Sequence, residues 1–140
     1  MFKMNNCVLL RKVGGFYVCF DDSAIILFYF FDYKIKNGRV GFPISTISKV
    51  TNVLENNSIN YVIKDNMTEV EKKIFGKKNK YKYYLDKGNN KISLDNRINN
   101  IMDIINSKEY EDIVKLLDLI EENIWMILLL LRIWRYLYLI

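Results

Sequence analysis

Histidine is absent from this 140-residue chain, proline occurs once and cysteine twice. Without histidine the chain has no unperturbed side-chain switch between pH 5 and 8, no imidazole ligand for zinc and none of the commonest general base. Cys7 and Cys19 make no disulfide framework and no C-x-x-C pair, which points to a reduced, cytoplasmic setting. Cys19 also lacks a histidine to activate it as a nucleophile. No G-x-x-x-x-G-K-[ST] occurs, because "GKKNK" at 76–80 has neither the spacing nor the second glycine, so no P-loop nucleotide chemistry is expected. The start "MFKMNNCVLLRKV" has no long apolar stretch and no small-residue cleavage site, so no signal peptide is expected. No catalytic constellation emerges. Asp21-Asp22 fit a helix N-terminus better than a metal or acid/base pair, and the expectation is a non-enzyme with no cofactor and no metal.

What is present is basic and aromatic. The net charge is +5, with 14% aromatic residues, and a mild positive balance favours polyanionic partners. The length suits one compact domain. Charge is uneven along the chain: residues 1–65 carry +3, residues 66–92 carry +5 and residues 93–140 carry −3.

The first 65 residues read as α/β. "CVLLRKVG" and "FYVCF" suit strands, with Gly14-Gly15 marking a turn, bulge or close backbone approach between them. "AIILFYFF", after the cap-type residues Asp21, Asp22 and Ser23, fits a buried helix or a buried strand. "YKIK-NG-RVGFP" looks like a hairpin about Asn37-Gly38. Pro43 ends its second strand. Ser45 or Thr46 then caps a helix with Ile47, Val50, Val53 and Leu54 on one face. "INYVIKD" is a further strand, giving the order β-β-α-β-β-α-β, a small mixed sheet with flanking helices. Residues 66–92 read as a basic connector in which lysines alternate with Phe75, Tyr81, Tyr83 and Tyr84. Residues 93–140 read as helical, with Ser93 capping a helix lined by Leu94, Ile98, Ile101 and Ile105. Ser107 caps another, lined by Tyr110, Ile113, Leu117 and Ile120.

The tail "NIWMILLLLRIWRYLYLI" is apolar and aromatic but interrupted by Arg132 and Arg135. A spanning helix needs about 20 apolar residues, and arginines at its centre are costly. A helix packed on the domain or in a dimer is favoured over membrane insertion. A shift of reading frame after "LLDLIEEN" is the third alternative.

"VLLRKVGGFYVCFDDSA" followed by "GFPISTISKVTNVLENNSINYVI" resembles the N-terminal mismatch-recognition domain of the MutS DNA mismatch repair family. The elements that carry the resemblance are Gly14, Phe16, Tyr17, Phe20, Asp22 and Ala24, then Gly41-Phe42-Pro43, the helix to Leu54, and Tyr61-Val62-Ile63. They span roughly residues 5–65, less than half of the chain. The resemblance implies that Phe16 is an apolar wedge against a base, a device whose cost is lowest where pairing is already defective. Val18 stands where that family has a base-reading glutamate, so the polar part of mismatch reading is missing. The ATPase, clamp and lever regions are missing as well.

The expectation is therefore a non-catalytic DNA-binding module with weakened mismatch specificity. Its partner is duplex DNA, contacted by Phe16, Tyr17 and Val18 and by a phosphate-binding patch of Lys72, Lys73, Lys77, Lys78, Lys80 and Lys82. For Phe16-Tyr17 the competing reading is a core aromatic pair, and for the lysines a solvated loop. The alternative function is a structural or interaction protein, self-associating or docking a partner protein or membrane through residues 108–140.

Overall fold

The computed structural model describes residues 5–138; the first four residues and the last two of the apolar tail lie outside that range. The chain divides into two units between Leu94 and Asp95. The first is α/β and the second helical, so the fold is a mixed sheet with helices and a long helical C-terminal region.

The first unit is built on five strands, β1 (Val8–Val13), β2 (Phe16–Phe20), β3 (Arg39–Pro43), β4 (Tyr61–Asp65) and β5 (Thr68–Lys73), in the spatial order β3-β2-β1-β4-β5. Only β1 and β4 run parallel; every other pair is antiparallel. Between the strands lie α1 (Asp21–Phe31) and α2 (Ile47–Asn56), and α3 (Tyr81–Asn106) follows β5. The paired glycines resolve as a tight turn. Gly14 has a φ of +58° and Val13 stands opposite Phe16, a conformation glycine adopts at no steric cost.

The core lies on one face of the sheet. Val8, Leu10, Cys19, Val40, Phe42, Tyr61 and Ile63 alternate inward and pack with Ala24, Ile26 and Leu27 of α1 and with Val50 and Leu54 of α2. "AIILFYFF" is a helix. Its length and its two covered sides, one on the sheet and one meeting Tyr84 of α3 through Tyr29 and Phe30, decide what periodicity left open. It ends at Asp32, whose N–H still donates to the Phe28 carbonyl and whose left-handed backbone turns the chain out of the helix, a common helix stop.

Several expectations are corrected. The Asn37-Gly38 turn forms, with positive φ at both residues, but its first arm is only a bridge of Lys36 to Arg39, and β3 pairs with β2 instead. Residues 66–92 are not a connector: β5 is an edge strand of the sheet, and Tyr81 is buried in the core. The charges of "TEVEKK" hid the strand, yet charge is a usual protection for a sheet edge. Ser93 lies inside α3, which starts at Tyr81. The last helix, α4 (Tyr110–Tyr138), starts three residues after Ser107. The Ser107 hydroxyl donates backward to the Ile104 carbonyl (2.7 Å), closing α3. Neither α1 nor α2 has a side-chain cap. Ser23 instead accepts the Leu9 N–H (3.2 Å), and Ser45-Thr46 fall in a short 3-10 turn before α2.

Asn79 fastens the start of α3 to the sheet. Its Oδ1 accepts the N–H groups of Asn60 (3.0 Å) and Tyr81 (3.2 Å), while its Nδ2 donates to the Asn6 carbonyl (2.8 Å). At Gly88, α3 lies close against α1. A Cβ there would meet Ile25 Cγ2 at 2.6 Å and the Ile25 carbonyl oxygen at 2.9 Å. Beside it, Lys91 pairs with Asp32 and lies over the Phe28 ring, 4.7 Å from its centroid.

Candidate nucleic-acid interface

Strand alternation divides β2 between the two faces of the sheet. Tyr17 and Cys19 point to the core; Phe16, Val18 and Phe20 point to the second face. The register places three rows on that second face. Pro43, Phe16 and Val13 form one row, Gly41, Val18, Arg11 and Lys64 the next, and Arg39 and Phe20 the third. Beyond Phe20 the third row continues with Leu9, Val62 and Lys72. Arg11 stands at the centre of this face, with Val18 and Lys64 on its two sides and Glu69 opposite Lys64; Arg39 and Lys72 lie on the two edge strands.

Phe16 is 53% exposed and Phe20 49%. They are not the sheet's only exposed apolar side chains, since Val13 (60%) and Val70 (65%) are also exposed, but they are its two exposed rings. Tyr17 is half-buried, its ring 5.9 Å from that of core Phe42. Val18 is buried at 8% exposure. Of the three β2 residues expected at the interface, only Phe16 is exposed. Tyr17 supports the core, and Val18 forms the floor between Phe16 and Phe20, with glycine opposite it at position 41.

All six expected lysines are exposed, but they do not share one surface. Lys72 lies on the second face and Lys73 on the core side of β5, opposite Tyr61. Lys77 and Lys78 occupy a 3-10 turn, Lys80 precedes α3, and Lys82 is in its first turn. The aromatics interleaved with them are largely structural. Tyr81 is buried, Tyr84 packs on Tyr29 and Phe30 and donates its hydroxyl to Asn57 Oδ1 (2.8 Å), and only Tyr83 is well exposed. Arg11, Arg39 and Lys64, which the lysine run drew attention away from, share the face of Phe16. Their two-residue alternation with apolar neighbours was the available signal.

The buried acids are held neutral by the fold. Burial raises the Cys19 thiol from 9.0 to about 12 and the Cys7 thiol from 9.0 to about 11, so neither is a reactive thiolate. Burial first, then the charge of Asp22, raises the Tyr81 hydroxyl from 10.0 to about 12. Tyr61 is raised further, by burial and by its bonds to Glu55 Oε1 (2.6 Å) and Glu71 Oε1 (2.9 Å). Its single proton serves one carboxylate at a time.

In the second unit, α4 exposes apolar side chains along its length, among them Trp125, Met126, Leu129 and Leu137. Among the described residues, no helix is long and apolar enough to cross a membrane, and no group of His, Cys, Asp or Glu side chains is placed to hold a metal ion. Comparison with known proteins returns no family model, no curated protein and no solved structure that matches this chain.

Proposed function

We propose that this chain is a non-catalytic DNA-binding module that uses the second face of its sheet. The observation that carries this reading is Phe16, held half out of the protein at the start of β2 on a face that also carries Arg11, Arg39, Lys64 and Lys72. The cations supply sequence-independent attraction to phosphate, and the ring supplies contact with a base. Duplex DNA is held chiefly through phosphates, with Phe16 entering where pairing is already defective. Position 18 offers no carboxylate and is buried, so mismatched and matched duplexes differ only by what Phe16 gains on an unstacked base.

The test is duplex affinity across a salt series, with matched, mismatched and looped duplexes. Affinity falls steeply with salt, and Phe16→Ala weakens binding by about 1–3 kcal/mol on looped substrates, where a base is free to stack. Absence of binding at low salt, or binding indifferent to salt, would sink the proposal.

A second reading rests on α4, whose exposed apolar side chains are of the kind that dock a partner protein or a second copy. It requires oligomerisation or partner binding that is lost on removal of residues 124–140 and is unaffected by Phe16→Ala.

A further inference from the structure

At the other end of β2 from Phe16 lies a second aromatic position with its own recess. Phe20, Lys36, Asn37 and Arg39 line a cavity of about 390 Å³. That volume is at the lower end of small-ligand sites, and the lining combines one exposed ring with two cations and an amide. The Asn37-Gly38 turn builds it. The mutual backbone bonds of Lys36 and Arg39 (2.9 and 3.0 Å) hold both cations at the base of the turn, and the β2–β3 register sets Arg39 opposite Phe20. The carboxylate of Asp21, the first residue of α1, sits beside Gly38 of the turn and is not part of the lining.

We propose that this face takes an unpaired nucleic-acid strand, with one nucleotide seated in the Phe20 recess and a second base stacked on Phe16; the inference rests on the DNA-binding reading and specifies the form of the ligand. Phe16 and Phe20 are four residues apart on one face, roughly 13 Å along the strand. Two rings at that spacing meet two bases of an unpaired strand without opening anything. In a duplex each would have to unstack a separate step, at a few kcal/mol per step. Between the rings the floor is Val18, with Gly41 on one side and Arg11 on the other, a low surface on which exposed base faces can lie. Lys36 and Arg39 receive the backbone phosphate of the recessed nucleotide, with the base on Phe20.

The experiment uses the full chain and fluorescence anisotropy with a short labelled oligothymidylate, a duplex of the same length, and thymidine monophosphate as competitor. The single strand binds at least roughly tenfold more tightly than the duplex, and Phe20→Ala removes most of that advantage while Phe20→Trp keeps it. Replacing both Lys36 and Arg39 with glutamine reduces the salt dependence of single-strand binding. Phe20 is half exposed, and circular dichroism checks that each variant keeps its fold. Equal affinity for duplex and single strand, with Phe20→Ala unchanged, overturns this inference and leaves the DNA-binding reading standing. Competition by the mononucleotide as effective as that of the oligomer overturns the strand assignment, and absence of binding to any nucleic acid overturns both proposals.

Discussion

Val18 and Cys19 are adjacent in β2 and buried for different reasons. Cys19 belongs to the core cluster under α1, with no exposed surface. Val18 is on the second face, where its cross-strand neighbours are Arg11 and Gly41. A carboxylate at the two positions therefore has opposite prospects. Cys19→Glu buries a charge with no partner on the core face and is expected to cost several kcal/mol, enough to unfold a marginally stable domain. Val18→Glu loses apolar contact but has Arg11 in register and solvent near, so a loss of about 1–2 kcal/mol is expected. Thermal unfolding of the two variants separates them. Equal damage from both would show that the second face is sealed, against the interface described here.

The packing of α3 on α1 depends on the absence of one side chain. Glycine inside a helix costs about 1 kcal/mol relative to alanine, so on propensity alone Gly88→Ala stabilises. The structure reverses the sign. The added methyl would come within 2.9 Å of a backbone carbonyl oxygen of α1, and backbone has less freedom to move aside than a side-chain tip. Overpacking of this kind costs typically 1–3 kcal/mol, so a net loss of stability is expected in denaturant unfolding. Stabilisation by Gly88→Ala would mean that the two helices do not approach this closely.

Among the described residues the buried core lies within the first unit, since no member of the core cluster lies beyond Tyr81. Removal of residues 124–140 is therefore expected to leave the cooperative unfolding of the α/β unit intact and to raise solubility, because α4 carries most of the large exposed apolar side chains at that end. A truncated chain without a cooperative transition would refute this. The same core sets an alkaline limit. Cys7, Cys19 and Tyr81 stay protonated in the fold up to about pH 11–12, whereas the unfolded chain releases the same protons near 9.0 and 10.0. These groups contribute their full stability below pH 9, and it is lost as the pH rises from 9 toward 12. The melting temperature is expected to fall progressively over that window, and a flat profile would show that the two thiols and Tyr81 are accessible to solvent.

Some of this was legible before any tertiary structure. Alternating apolar residues in "VLLRKV" and "FYVCF", the glycine pair between them, the Asn37-Gly38 turn and Pro43 at a strand end are local signals whose backbone preferences hold in any context. They define two strands, two turns and the α/β class. The rest was decided by what lay across the sheet. "AIILFYFF" became a helix because both of its sides found cover, "TEVEKK" became a strand because β4 had an edge to offer, and Tyr81 entered the core because Asn79 anchored the start of α3. The candidate site follows the same division. Phe16 was visible from its place after the glycines. Phe20 shares its face by alternation along β2, whereas Arg11, Arg39 and Lys64 join it only through cross-strand register, which sets side by side residues that sequence separates by as many as 53 positions; alternation shows which face each residue takes but not which strand lies beside it.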